Sequence, residues 1–203
     1  MDKILILSNH ALNILPYHEI LSTVFPTNKV LFISDRASEE ELNLQKGSFN
    51  NIKRFKSYFS NPLIELSSCS LHKEWRFDRI VTVSEFDILR AARIREHLGL
   101  IGQTYKSAQA FRNKLIMKDL VSKNNFKTPY YRQVGNILDL LEFIEEYDFP
   151  VILKPQLGVS AYDIFKIENQ KSLEWLLIKN NLFNHFIHQL ILIIVWTSSM
   201  GNF

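Results

Sequence analysis

Residues 111–134 read FRNKLIMKDLVSKNNFKTPYYRQV and residues 149–167 read FPVILKPQLGVSAYDIFKI, joined by the acidic stretch GNILDLLEFIEEYD. Two lysines bracket this segment. Lys114 stands where helical spacing of apolar residues begins, and Lys154 continues the apolar run Val151-Ile152-Leu153. A lysine in that position is expensive to bury without an anionic partner. It opens a short loop, Gln156-Leu157-Gly158-Val159-Ser160-Ala161, before a further β-rich stretch. Backbone N–H groups approach anionic oxygens closely in a turn of small residues, and an ammonium adds a point charge, so the pattern suits the phosphates of a nucleotide. Periodicity predicts one or two helices over 107–123, with Phe111, Leu115, Ile116, Leu120 and Val121 on one face. A strand over 128–134, an acidic amphipathic helix over 137–147 and a strand over 151–153 follow. A hairpin partner over 163–167 and a helix over 172–182 complete the series.

Upstream, the pattern alternates between strand and helix. KILILS at 3–8 and KVLFIS at 29–34 are short apolar runs of the kind buried on both faces of a parallel sheet. Helical spacing over 12–25 separates them, with Pro16 in the first turn. A polar helix over 38–45 starts with Ser38 as cap and Glu41 at the capping-box position. Residues 49–77 predict a short strand and a helix, with Asn61-Pro62 as a turn or helix start. RIVTVS at 79–84 is a strand, followed by an amphipathic helix over 85–98 that Gly99 closes. This β-α-β-α order predicts a doubly wound, Rossmann-like parallel sheet. It does not predict a dinucleotide site: Ser8-Asn9-His10-Ala11-Leu12-Asn13 follows the first strand, and no G-x-G-x-x-G turn can be written from those residues.

The segments resemble the ATP-grasp superfamily of carboxylate–amine ligases and carbamoyl-phosphate-synthase-like enzymes. In that family a lysine in an (R/D)K-x-x-x-(K/R) helix start and a second lysine in (Y/F)P-V-(I/V)-(V/L)-K-P contact ATP phosphates. The matches are Arg112-Asn113-Lys114 with Lys118, and Phe149-Pro150-Val151-Ile152-Leu153-Lys154-Pro155. The helix with its Gly99/Gly102 turn is similar to the end of the family's pre-ATP-grasp domain, where the start of the helix, here Glu85, faces the cleft. The resemblance covers about residues 1–190. It implies an α/β protein in which 1–104 form the pre-ATP-grasp domain and 105–185 the first ATP-grasp α+β subdomain. It further implies cofactor binding by Lys114, Lys154, Gly158, Ser160 and Gln189, the last near the adenine. The loop after Lys154 departs from the pattern, with Gly158 where most members place two or more glycines; fewer glycines leave fewer usable amides.

The family's activity is ATP-dependent carboxylate–amine (or thiol) ligation through an acyl phosphate, with Mg²⁺ bridging the β- and γ-oxygens. Its metal carboxylates stand in a second subdomain with no counterpart here: Glu174 is the last acidic residue. Residues 186–203 therefore read as a truncated or divergent tail, and the expectation is ATP binding without a metal site or catalytic residues of its own. An interaction module that kept the fold and lost the chemistry is the alternative. A protein partner would then cover the apolar tail. A glycosyltransferase-like nucleotide-sugar binder shares the alternating start but leaves the paired lysines unexplained.

Composition narrows the classes further. The 203 residues carry a formal net charge of +3 with scattered basic residues, unlike the clustered charge of nucleic-acid binders. The one basic aromatic patch, at 46–56, reads as a solvated loop or strand edge. The single cysteine, Cys69, permits no internal disulfide, which with the short apolar start indicates a reducing cytoplasm. The apolar run 186–196 is too short for a membrane helix and reads as a buried strand. His185 and His188 have metal-like spacing but no third ligand near them in sequence.

Overall fold

The computed structural model describes residues 3–21, 28–44, 47–159, 163–179 and 191–195. The polypeptide divides into two compact units, Met1–Ala108 and Gln109–Phe203.

The first unit is built on β1 (Ile4–Ser8), β2 (Lys29–Ser34), β3 (Asn51–Phe55) and β4 (Arg79–Val81), all parallel, in the spatial order β3-β2-β1-β4. The chain moves outward from β1 to β2 and β3, then returns to the other side of β1, so β1 is the switch point of a doubly wound sheet. Both faces of β1 are buried, as its unbroken apolar run requires. Leu5 and Leu7 pack with Phe32, Phe55, Ile64 and Ile94, while Ile4 and Ile6 pack with Leu12, Tyr17, Leu31 and Leu42. The helices are α1 (Tyr17–Ile20), α2 (Glu39–Leu44), α3 (Leu63–Trp75) and α4 (Ile88–Leu98), with a 3-10 turn at Tyr58–Ser60.

Local signals account for most of the boundaries. Ser38 Oγ accepts from the Glu41 amide at 3.1 Å while the Ser38 amide donates to Glu41 Oε2 at 2.9 Å, which is the capping box the sequence suggests. Gly99 ends α4 in the left-handed region at φ 67°. The fourth strand is shorter than the β-rich run 79–84, and α4 begins at Ile88 rather than at 85. The reason is local: Thr82 Oγ1 accepts from the Ser84 amide at 3.2 Å and the Asp87 amide donates to the Ser84 carbonyl at 3.0 Å, turning the backbone off the sheet. The helix foreseen over 12–25 is a single turn in its described part; a turn at Ala11–Leu15 precedes it, and 22–27 lie outside the described residues.

The second unit has an antiparallel sheet made of β5 (Tyr131–Val134), β6 (Val151–Pro155), β7 (Phe165–Ile167) and β8 (Ile191–Val195), ordered β5-β8-β6-β7. The apolar tail thus supplies a strand inserted between β5 and β6. Helices α7 (Ile137–Tyr147) and α8 (Gln170–Lys179) cover one face, where Val134, Leu140, Phe143, Val151, Leu153, Ile167, Leu173 and Leu176 form the core. The helical stretch 107–123 resolves into α5 (Tyr105–Arg112) and α6 (Lys114–Lys123), separated by Asn113, whose side chain accepts from the Leu115 and Ile116 amides. The apolar face expected there is not buried: α6 contains no buried residue, and Phe111 is 69% exposed.

Candidate functional site

Side chains alternate across β6, and the alternation determines what Lys154 can do. Val151, Leu153 and Pro155 are buried, the first two in the helix-covered core, while Ile152 and Lys154 lie half-buried on the opposite face. On β5 the same parity sends Val134 to the core and puts Tyr131 and Gln133 on the face that carries Lys154. The backbone register aligns Gln133, Leu192 and Lys154 in one cross-strand row, with Tyr131, Ile194 and Ile152 in the next.

Helix α6 approaches this face. Its Lys118 ammonium lies 5.6 Å from the centre of the Tyr131 ring, and the Tyr131 hydroxyl donates to Asp119 Oδ1 at 2.8 Å. Burial holds the Lys118 ammonium below the ordinary lysine range, and the positive charge of Lys154 depresses it further. Burial lowers Lys154 in the same direction. Neither ammonium has a carboxylate partner among the described residues. An anion between these two half-buried cations would be stabilised by both.

Beside them, three consecutive residues grip three consecutive loop residues. Arg112, buried, donates through Nη2 to the Leu157 carbonyl at 2.9 Å. The Asn113 amide donates to Gln156 Oε1 at 2.9 Å, and the Lys114 backbone N–H donates to the Gln156 carbonyl at 3.0 Å. The Lys114 ammonium donates to the Gly158 carbonyl at 2.6 Å, with a longer contact of 3.5 Å to the Gln156 carbonyl. Gln156 is buried, and its Nε2 has no hydrogen-bond acceptor among the described residues, so it can donate to a ligand.

Gly158 stands where space is tight rather than where the backbone is left-handed. It is absent from the positive-φ positions, and a Cβ there would stand 3.3 Å from Pro155 Cβ and 3.4 Å from its Cγ. Of the residues singled out in the sequence, Lys114, Lys154 and Gly158 thus come to one place, while Ser160 and Gln189 lie outside the described residues. Lys118 and Arg112 are motif positions to which the sequence reading attaches no role. The visible signal for Lys118 was its spacing of four from Lys114, which puts both on one helix face.

The first unit holds a second polar cluster, at the carboxyl ends of β1 and β4. Ser8, Asn9, Ser84 and Asp87 are all buried there with Tyr17 and Tyr58. Burial pushes the Asp87 carboxyl up to about 6, against the pull of Arg90. Arg90 ties the cluster together, donating to Asp87 Oδ1 at 3.2 Å, to Glu65 Oε1 at 2.8 Å and to the Tyr58 and Phe59 carbonyls. Glu85, the residue suggested by position, stands exposed in the turn before this cluster.

Among the described residues no three His, Cys, Asp or Glu side chains gather into a metal-binding group, and no helix is long and apolar enough to cross a membrane.

No family model matches the chain. It is 30% identical over 93 residues to the L-arginine-specific L-amino acid ligase of Bacillus subtilis, a match covering 46% of this chain and 22% of that protein. Among solved structures, an L-amino acid ligase from Bacillus licheniformis superposes with a TM-score of 0.72 at 16% identity, covering 97% of this chain and 44% of that one. The N5-carboxyaminoimidazole synthetase of Staphylococcus aureus, solved with ADP, gives 0.67 at 16% identity, over 96% of this chain and 47% of that one. The chain spans less than half the length of the relatives it matches. In sequence and in fold it resembles the N-terminal part of ATP-grasp ligases.

Proposed function

We propose that this chain supplies the pre-ATP-grasp domain and part of the nucleotide site of an ATP-dependent carboxylate–amine (or thiol) ligase. The observation that carries the reading is the pair of half-buried ammoniums, Lys118 and Lys154, on one sheet face without a carboxylate partner among the described residues, beside the loop held by residues 112–114. The ligase relatives supply the reaction class.

In such a reaction a carboxylate oxygen attacks the γ-phosphorus of ATP, ADP leaves, and an amine or thiol then displaces phosphate from the acyl phosphate. The part assigned to this chain is electrostatic. Lys154 holds phosphate charge, and Gln156 Nε2 donates to a phosphate oxygen. Ser160 would add a hydroxyl to that loop, and Gln189 would stand near the adenine. Domain limits at 1–104, 105–185 and 186–203 and a cytoplasmic setting belong to the same reading. Mg²⁺, where bound, would offset phosphate charge, and it requires carboxylate ligands. The donors gathered on this face are cationic and amide groups, which fit the phosphates rather than the metal, so no step is assigned to it.

A thermal-shift series with ATP, ADP, AMP and adenosine tests the reading. Saturable stabilisation that falls with each phosphate removed is expected, because the site reads phosphate charge. Equal shifts for all four, or none from a folded chain, would refute it.

A further inference from the structure

We propose that the free edge of β3 is a docking site for an extended segment of a partner protein, acidic at alternate positions and apolar between them, which joins the parallel sheet as a further strand.

β3 ends the order β3-β2-β1-β4, so one of its two backbone edges has no strand beside it among the described residues. Such an edge presents N–H and C=O groups to any chain that can extend along it. Asn51, Lys53 and Arg54 are exposed and Ile52 is half-buried, whereas every residue of β1 and β2 is buried. The surface is hollow on both faces of this edge. A cavity of about 650 Å³ lies between β3 and α3, and one of about 420 Å³ lies between β3, α2 and residues 47–50. A strand laid ~4.8 Å beyond β3 sends successive side chains to opposite faces, and so alternately into these two cavities.

The cavities differ in chemistry. The first is lined by the buried Phe32 and Phe55, by the exposed Lys53 and Lys56, and by Ser67 and Ser70 of α3. The Lys53 ammonium donates to Ser67 Oγ at 2.8 Å and lies 5.3 Å from the centre of the Phe55 ring. Neither it nor Lys56 has an ion-pair partner among the described residues. Glu74, the one carboxylate in that lining, belongs to the last turn of α3. Leu63 and Leu66, 54% and 62% exposed, add apolar surface that a docked strand would cover. On the other face Leu42, Phe49 and Ile52 supply apolar walls, and the cation there, Arg54, is already paired with Glu39. Carboxylates therefore suit the α3 side and apolar side chains the α2 side.

The same charges argue against a second copy of this chain. Pairing β3 with β3 sets Lys53, Arg54 and Lys56 against their own kind, and like charges across a strand pair are destabilising. Lysine on an edge guards against such self-pairing, and an acidic strand turns the guard into an attraction. The basic aromatic stretch of the sequence thus acquires a use, with Phe49 in one cavity and Lys53 and Lys56 in the other.

The experiment titrates the whole chain with an acetylated, fluorescently labelled eight-residue peptide of alternating glutamate and valine, and follows amide hydrogen exchange over 51–55 with and without it. Binding is expected to weaken as salt rises, and at saturation to slow exchange of the edge-directed amides by roughly tenfold or more. A peptide with N-methylated valines, which cannot complete the ladder, and one with lysine for glutamate are each expected to bind roughly tenfold more weakly or worse. Lys53→Glu with Lys56→Glu is expected to lose roughly tenfold in affinity, and Lys53→Gln with Lys56→Gln less, in the same direction. Wild-type affinity in both double variants would overturn the charge reading. Binding that leaves exchange over 51–55 unchanged, or equal binding of the N-methylated peptide, would overturn the edge, and no binding by the folded chain would overturn the site altogether. Protection of 51–55 that grows with protein concentration without peptide would assign the edge to a second copy. Protection by an octathymidylate but not by the peptide would assign it to nucleic acid, and either result would overturn the acidic strand.

Discussion

Asp87 shows how one buried carboxyl converts proton binding into stability. In the folded chain it stays protonated up to about pH 6, whereas its ordinary value is 3.8. Between those limits the folded state binds the proton and the unfolded state has released it. The contribution of Asp87 is therefore fully present below about pH 3.8 and lost as pH rises through about 6. A shift of this size corresponds to something on the order of 3 kcal/mol. Denaturant titrations of wild type and Asp87→Asn between pH 4 and 7 measure it directly. The stability difference should move in favour of the permanently neutral asparagine as pH rises; a difference that stays constant would show that the carboxyl does not titrate in this window. Gly158 yields a second prediction. Its Cβ would press on the ring of Pro155, so Gly158→Ala should cost about 1 kcal/mol and shift the loop anchored by Arg112 and Lys114. Urea unfolding and loop hydrogen exchange give the two readings.

At the scale of elements, residues with a local mechanism made the chain legible. Ser38 with Glu41 and Asn136 with Asp139 form reciprocal caps whose partners stand three residues apart. Asn136→Ala should remove the two amide bonds accepted by its side chain and cost about 1 kcal/mol in thermal or chemical unfolding. An unchanged transition would mean that Asp139, which accepts from the Gly135 and Asn136 amides, suffices alone. The doubly apolar runs KILILS and KVLFIS likewise announced strands buried on both faces. What could not be read lies in non-local pairing. Nothing in the apolar tail specifies that β8 enters between β5 and β6, because that place is set by ladder partners far away in sequence. The end of β4 at Val81 was hidden for the opposite reason: Thr82 and Ser84 divert a β-rich run through side-chain and turn hydrogen bonds that hydrophobic periodicity does not register. The cation pair falls between these cases. Lys154 was visible from its apolar context, whereas Lys118 gained meaning only once Tyr131 and the parity of the sheet placed it.

At the scale of the whole molecule, the parallel sheet has its own two core clusters, one on each face of β1, and every member lies within residues 4–100. The segment 1–108 should therefore fold alone with a cooperative thermal transition, and Leu5→Ala within it should cost about 2–5 kcal/mol. A broad, non-cooperative melt of the isolated segment would contradict that independence. The second unit carries the proposed phosphate chemistry, and the eight core residues described in it form a cluster of their own. The central claim is that a polyphosphate is held at the cationic face around Lys154. Its most direct test is a calorimetric titration of ATP into the whole chain and into Lys154→Ala at two ionic strengths. Saturable binding that weakens with salt in the wild type, and falls by roughly tenfold with a shallower salt dependence in the variant, is the predicted result. Equal affinity and equal salt dependence in the two proteins would contradict it.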